Sequence, residues 1–210
     1  MINVMIADDH AIVREGLKRI FANEPDMSVS AEADSGDEVF KKFKVENWDV
    51  LILDMAMPGR NSLELIKQIH FYYPKKPILV FSMYPEDQYA IRMIRVGASG
   101  YLSKESEPSQ LVAVIRQLAQ GQRYVSHEIS EQLIEQIMNP EVQPSHTKLT
   151  NREFQVFQAI CKGLRLTDIA TEMSLSAKTV TTYRSRIIKK LALKTNSDII
   201  HYAFRNQLLD

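Results

Sequence analysis

Cysteine is nearly missing from this chain: Cys161 stands alone among 210 residues. No internal disulfide can form, and a reducing compartment fits. Cys161 shares an apolar helical register with Val156, Phe157, Ile160 and Leu164, which marks a packed helix position. Long apolar runs are missing too. None approaches the roughly 18 residues that a membrane-spanning helix needs. No basic-then-apolar leader opens the chain, so a cytoplasmic protein without a membrane partner is expected. The histidines His10, His70, His127, His146 and His201 are scattered without metal-ligand spacing. His10 follows an acidic pair, where a start-of-helix role fits better than ligation in an oxygen-rich site. There is no internal repeat and no low-complexity tract. What remains is an ordinary globular composition, 45% hydrophobic and 25% charged, long enough for one large domain or two small ones.

The formal net charge of zero conceals an asymmetry. Residues 148–210 carry 11 Lys/Arg against 5 Asp/Glu, whereas residues 1–147 carry 15 against 21. An acidic front and a basic tail point to two domains with different partners, the tail facing phosphates. The front alternates short apolar runs with helical patterns. Candidate strands are "NVMIA" (3–7), "SVSAEA" (28–33), "DVLIL" (49–53), "PILVFS" (77–82) and "GYLS" (100–103). Helical spacing recurs in Val13, Leu17, Ile20 and Phe21; in Val39, Phe40 and Phe43; in Leu63, Ile66 and Ile69; and in Leu111, Val112, Ile115 and Leu118. Repeated strand-then-helix units imply a five-stranded parallel sheet covered by helices on both faces. A further amphipathic helix is expected over 128–138. The polar, proline-bearing "NPEVQPSHTK" (139–148) reads as a linker.

In open α/β sheets the functional crevice lies beyond the carboxyl ends of the strands. The first candidate strand ends in Asp8-Asp9, the third in Asp54 and the fourth in Ser82, while the fifth runs into Lys104. Three carboxylates brought together repel, and a hard divalent cation relieves the repulsion. Mg²⁺ suits such a site, because it takes a few carboxylates and leaves room for phosphate oxygens. A single acid at a strand end is usually a helix cap; this combination, on four strands, is not.

The pieces "IADDH", "LILDMAMPG", the serine of "VFSMY" and "GASGYLSK" resemble the receiver domain of two-component response regulators, from residue 1 to about 120. The resemblance implies a flavodoxin/CheY-like fold in which Asp54 accepts a phosphoryl group from the phosphohistidine of a sensor histidine kinase. It places Mg²⁺ on Asp9, Asp54 and the carbonyl of Ala56, with Asp8 acting mainly through water. Lys104 would pair with the phosphoryl oxygens, Ser82 would hydrogen-bond them, and Tyr101 would follow inward. Ser62 stands where the family often has glycine, so the loop after the site is expected to differ. Ala56 and Tyr84 occupy positions that the family associates with dephosphorylation rate, and an apolar Ala56 cannot position an attacking water. A phosphoryl group that persists beyond the fast end of the family's range is expected.

The tail "LTDIATEMSLSAKTVTTYRSRIIKKL" (166–191) reads as two helices turning at Ser174-Leu175-Ser176, with Ser176 capping the second. On that helix Val180, Ile187 and Leu191 make an apolar stripe, opposite Lys178, Thr181, Thr182, Ser185 and Lys189. A basic, hydroxyl-rich face of short side chains suits the DNA major groove. With "LTNREFQVFQAICKG" before it, the segment resembles the small all-α helix-turn-helix domain of LuxR/NarL type. That resemblance implies base-edge contacts by Thr181, Thr182 and Ser185, and phosphate contacts by Lys178, Thr179, Arg184, Arg186 and Lys189. Arg184 lies toward the core side. Tyr183 replaces a frequent histidine and Ala192 a frequent glycine, neither a threat to the fold. The last helix, expected over 197–209, shows Ile199, Ile200, Ala203, Phe204 and Leu208. They serve either ordinary packing or, as the resemblance implies, a homodimer reading two-fold-related half-sites.

Together these features describe a receiver over residues 1–121, a linker with a short helix over 122–147, and a DNA-binding domain over 148–210. The expected protein is a phosphorylation-controlled transcription regulator and not an enzyme. Two rival readings are an aspartyl-phosphate enzyme, which leaves the basic tail unexplained, and a constitutive DNA-binding module, which leaves the acid cluster unexplained.

Overall fold

The computed structural model describes residues 1–138, 145–206 and 208. The chain divides into two compact units, Met1–Glu135 and Gln136–Asp210. No helix among the described residues is long and apolar enough to cross a membrane.

The first unit is built on a parallel sheet of β1 (Ile2–Ala7), β2 (Met27–Ala33), β3 (Val50–Leu53), β4 (Ile78–Ser82) and β5 (Gly100–Ser103), in the order β2-β1-β3-β4-β5. Every residue of β3 and β4 is buried, as the unbroken apolar runs of a strand covered on both faces demand. β2 lies at the edge and mixes buried, half-buried and exposed positions. The helices are α1 (Ala11–Ala22), α2 (Gly36–Lys42), α3 (Ser62–Tyr72), α4 (Glu86–Arg95) and α5 (Pro108–Ala119), followed by α6 (His127–Met138). Leu17 and Phe21 of α1 join Leu111 and Ile115 of α5 against Val4, Ile6, Val50 and Ile52. Ser35 and Asn61 cap α2 and α3 through their side chains.

Helix α4 had no counterpart among the helical patterns read from the sequence. Its buried Tyr89, Ala90 and Met93 are interleaved with Arg92 and Arg95, and the charge masks the stripe. The expected α6 is present, yet of its apolar side Ile129 is buried while Ile134 is 57% exposed; the Ile137 side chain lies outside the described residues.

The second unit holds α7 (Asn151–Cys161), α8 (Leu166–Glu172), α9 (Ala177–Leu191) and α10 (Asn196–Arg205). Of the expected linker stretch, residues 139–144 lie outside the described residues, and Ser145–Lys148 form a single 3-10 turn. Reciprocal capping boxes at Thr150–Glu153 and Thr195–Asp198 start α7 and α10. Phe154, Val156, Phe157 and Ile160 of α7 are buried, as are Ile169 of α8, Val180 and Ile187 of α9, and Ile199 of α10. Cys161 is half-buried at the end of α7, where burial pushes its thiol up to about 12. Helix α10 is shorter than its apolar pattern suggested: it ends at Arg205, and Leu208 follows outside the helix.

Candidate functional site

The sheet order reverses between β1 and β3, and there the C-terminal ends of the two strands open side by side. Strand register decides which side chains stand at that opening. Ala7 pairs with Leu53, and the Asp54 N–H donates to the Ala7 carbonyl at 2.8 Å. The next residue on each strand is therefore an aspartate. Asp8 and Asp54 are both buried, and Asp9 stands exposed beside them. Ligand atoms of Asp8, Asp9, His10 and Asp54 all lie within 4.8 Å of one another.

From β5, the Lys104 ammonium reaches into this cluster, 2.6 Å from Asp8 Oδ2 and 3.2 Å from Asp54 Oδ2. The second approach has ion-pair distance without hydrogen-bond alignment, so Asp54 Oδ2 is buried with no hydrogen-bond donor. Burial pushes the Asp54 carboxyl above its ordinary range. The Lys104 ammonium opposes the rise, the Asp8 charge adds to it, and the Ala56 N–H opposes it again. Lys104 is itself held in place by its backbone, whose N–H donates to the Ser82 carbonyl at 2.9 Å.

Ser82 is fully buried at the end of β4, and its hydroxyl accepts the Tyr84 N–H at 3.2 Å. Tyr101 is also fully buried, with its hydroxyl donating to the Tyr84 carbonyl at 2.8 Å. Burial pushes the Tyr101 phenol well above its ordinary value. The loop after Asp54 is pinned from below. Met55 and Met57 point into the core, and Gly59 turns the chain with φ 83°. The buried Ser62 hydroxyl donates to the Met55 carbonyl at 2.7 Å, a bond that a glycine could not make.

Two participants were not read from the sequence as part of this site. Arg14 donates to the Asp8 carbonyl at 2.6 Å and orients the strand end. His10 does start α1, as expected, but its ring turns back onto the acids, with Nδ1 at 3.2 Å from Asp8 Oδ1 and 2.9 Å from Asp9 Oδ1. Its adjacency to the acid pair was the one signal in the sequence.

In the second unit, α8 and α9 are joined through Ser174, whose φ is 53°. Ser176 caps α9 by accepting the Thr179 N–H at 3.1 Å. Lys178, Thr181, Thr182, Ser185, Arg186 and Lys189 are exposed, and Val180, Ile187 and Leu191 are buried on the opposite face. The Thr181, Thr182 and Ser185 hydroxyls each donate to the carbonyl four residues back, at 2.9, 3.0 and 3.0 Å. Arg184 is half-buried and donates to the Asn196 side chain at the start of α10. A pocket of about 280 Å³ on this face is lined by Lys178, Thr179, Thr182, Tyr183 and Arg186.

Residues 4–116 match the response regulator receiver domain family, and residues 147–203 match the luxR family of bacterial regulatory proteins. Response regulator UvrY of Escherichia coli (strain K12) is 34% identical over 209 residues, covering 99% of this chain and 96% of that one. Oxygen regulatory protein NreC of Staphylococcus epidermidis (strain ATCC 12228 / FDA PCI 1200) is 35% identical over 215 residues, covering 99% of each. Among solved structures, RcsB from Salmonella enterica serovar Typhimurium bound to a promoter aligns with a TM-score of 0.61 and 24% identity, covering 96% of this chain and 98% of that one. At that identity the likeness speaks to fold. The two matched domains, in this order along one chain, make the protein a member of the response regulator family: a phosphorylation-controlled, DNA-binding transcription regulator with a receiver followed by a LuxR-type helix-turn-helix domain.

Proposed function

We propose that Asp54 is the phosphoryl acceptor and that its phosphorylation by a sensor histidine kinase controls promoter binding through α9. The observation that carries this reading is the buried Asp54 Oδ2, which has no hydrogen-bond donor although an ammonium stands 3.2 Å away. A carboxylate oxygen kept free of donors is available as a nucleophile. It attacks phosphorus, a new O–P bond forms, and the donor's P–N bond breaks to release histidine. Lys104 sits where it can pair with the transferred oxygens. The Ser82 hydroxyl can turn from Tyr84 toward the new acceptors, and Tyr101, already inward, closes the space behind it.

The donor set fits Mg²⁺, because it is made of hard oxygens and leaves one buried carboxylate oxygen unsatisfied. Asp8, Asp9, Asp54 and the carbonyl of Ala56 would hold the ion, which when bound neutralises charge on the phosphoryl oxygens. Ala56 offers no polar side chain to an attacking water, so the acyl phosphate persists beyond the fast end of the family's range. An Ala56→Asn variant with unchanged hydrolysis would contradict that.

On DNA, Thr181, Thr182 and Ser185 meet base edges, while Lys178, Thr179, Arg184, Arg186 and Lys189 meet phosphates. With their protons committed to backbone carbonyls, the three hydroxyls face the groove as acceptors. Ile200 is 38% and Phe204 77% exposed on one side of α10, an apolar pair suited to a two-fold dimer on DNA. In this reading residues 1–121 receive the signal, 122–147 connect, and 148–210 bind DNA. The protein works in the cytoplasm as a regulator and has no separate substrate. The test is to incubate it with Mg²⁺ and acetyl phosphate, then compare dimerisation and DNA binding with Asp54→Ala. Enhancement lost in the variant supports the proposal. Turnover without DNA binding points to an enzyme, and equal binding in both proteins points to a constitutive module.

A further inference from the structure

Six lysines gather at one end of a unit whose net charge is negative. The end of α2 with the residues after it (40–46) and the last turns of α3 with the loop after it (67–76) hold those six lysines and one acid, Glu46. Residues 1–147 as a whole carry 15 Lys/Arg against 21 Asp/Glu. Both stretches lie at the N-terminal ends of β3 and β4, because Trp48 and Lys76 lead into those strands. The acidic pocket opens at the other end of the sheet.

The same end exposes large apolar side chains. Val45 is 78%, Phe71 80% and Tyr72 54% exposed. The Phe71 and Tyr72 rings meet edge to face at 5.5 Å, and Tyr72 leans on the buried Phe43 ring at 6.2 Å. The buried aromatic cluster is thereby continued into solvent, and an apolar surface of this kind marks a contact site. Charge and rings are interleaved there. Lys44 Nζ stands 4.6 Å from the centroid of Tyr72, 4.9 Å from that of Phe40 and 5.5 Å from that of Phe43. Arg60 lies over Phe40 at 3.9 Å and Lys76 over Trp48 at 4.5 Å.

A ring face attracts a cation but supplies no counter-ion. Among the described residues, Lys41, Lys44, Lys67 and Lys75 are exposed with no carboxylate at ion-pair distance. Arg14, Lys18, Lys42, Lys104 and Arg116 of the same unit each have one. That contrast selects the partner. The bases of a single strand stack on free ring faces, and here cations already lie over Phe40, Tyr72 and Trp48. Sinking the rings into a lipid surface would carry the Lys44 ammonium in with them. What the surface offers is ammonium groups that lack counter-ions and the Phe71 ring, over which no cation lies among the described residues.

We propose that the ends of α2 and α3 form a docking surface for an acidic amphipathic segment of another protein. Its apolar side chains seat on Phe71, Tyr72 and Val45, and its carboxylates pair with Lys44, Lys67 and Lys75. Lys67 stands one helical turn before Phe71, on the same face of α3. The inference is independent of the role of Asp54, which lies at the opposite end of the strands.

The test is fluorescence anisotropy of a labelled helical peptide with a leucine stripe and glutamates on its other faces. It is titrated with the whole chain as wild type, Phe71→Ser and Lys44→Glu. Both side chains are exposed, so the variants should fold, and an unchanged thermal melt checks this. The affinity should fall about tenfold or more in each variant, and the amide NMR shifts that the peptide causes in wild type should centre on residues 40–46 and 67–76. No binding to wild type, or equal affinity in all three proteins, overturns the inference. It is also overturned if a thymidine oligonucleotide or phosphatidylglycerol vesicles bind more tightly than the peptide and lose that binding in the variants. The surface would then belong to another class of partner. Each of these failures leaves the proposed role of Asp54 untouched.

Discussion

Asp54 and Glu153 are each 2% exposed, yet their carboxyls shift in opposite directions, Asp54 up and Glu153 down. Burial pushes both up. At Glu153 the Lys190 ammonium at 2.6 Å and the Thr150 N–H at 2.7 Å outweigh it. At Asp54 the ammonium is shared with Asp8, a second carboxylate adds repulsion, and one oxygen keeps no donor. Burial alone decides neither outcome; the count of donors does. A buried carboxylate with two close donors is a strut, and one whose buried oxygen has none is open to another partner.

The opposite signs give opposite responses to pH. The stabilisation from Glu153 is present above the pKa of an unfolded glutamate, about 4, and is lost as pH falls through the depressed folded value. Removing its partner should have the largest effect of the changes considered. Lys190→Ala leaves Glu153 buried with only its capping bonds, at a cost of about 1–3 kcal/mol to the second unit. The far-UV circular dichroism melt measures this, while fluorescence of Trp48, the only tryptophan and a fully buried part of the first unit, should not move. A loss that persists unchanged once the pH has fallen below the depressed folded value of Glu153 would break the comparison.

For Asp54 the raised pKa means that ionisation opposes folding. The fold is at its best below the unfolded pKa and loses stability as pH rises through the raised folded value, so the penalty stands at neutral pH. Asp54→Asn should therefore stabilise the metal-free first unit by about 1–2 kcal/mol at pH 7. It should do nothing near pH 3, where both side chains are neutral. Denaturation followed by Trp48 fluorescence reads the change directly. Saturating Mg²⁺ should narrow the gap by stabilising wild type alone. A variant less stable than wild type at pH 7 would show that Lys104 already satisfies the carboxylate.

The parts of this difference that sequence carries are the covalent ones. Asp8, Asp9, Asp54, Ser82 and Lys104 were legible because strand periodicity fixes which residue leaves the end of each strand, and parallel register brings those ends together. The Thr-x-x-Glu spacing of "TNRE" carries the capping role of Glu153, but its pairing with Lys190 spans 37 positions and depends on how α7 meets α9. The His10 ring turning back on the acids is a rotamer choice, which no periodicity records. Helix α4 escaped because arginines interrupt its apolar stripe. The Ser62 hydroxyl was visible only as a departure from glycine, and its bond to Met55 needed the loop's actual path.

Charges that are not buried at all give a smaller, differently shaped response. Lys189 is exposed on α9, so in the proposed reading any contribution it makes to DNA binding comes from counterion release and is screened by salt. Lys189→Ala should weaken binding to target and random DNA alike and reduce the slope of log K against log salt by about 1. Thr182→Ala should instead shift preference among sites by about 0.5–1 kcal/mol, the scale of one hydrogen bond, with little change in slope. Fluorescence anisotropy against salt separates the two. An equal loss on target and random DNA for Thr182→Ala would move that residue into the phosphate class.

Backbone strain is an uncompensated cost of the smallest scale. Ala192 ends α9 in the left-handed region, with φ 56° and ψ 40°. The Leu193 N–H to the Ile188 carbonyl at 2.9 Å and the Ala192 N–H to the Lys189 carbonyl at 3.4 Å close the helix in a Schellman pattern. That pattern favours glycine, because the alanine Cβ costs about 1–2 kcal/mol there. Glycine removes the strain but gives the unfolded chain back about 0.4–1 kcal/mol of entropy. Ala192→Gly should therefore stabilise the second unit, by only about 0.5 kcal/mol. Neither carboxylate is touched, so the gain should be the same at pH 7 and pH 3. A pH-dependent gain would mean that the strained cap is coupled to Lys190, two residues before it, and that the strut at Glu153 holds the helix end as well as the helix.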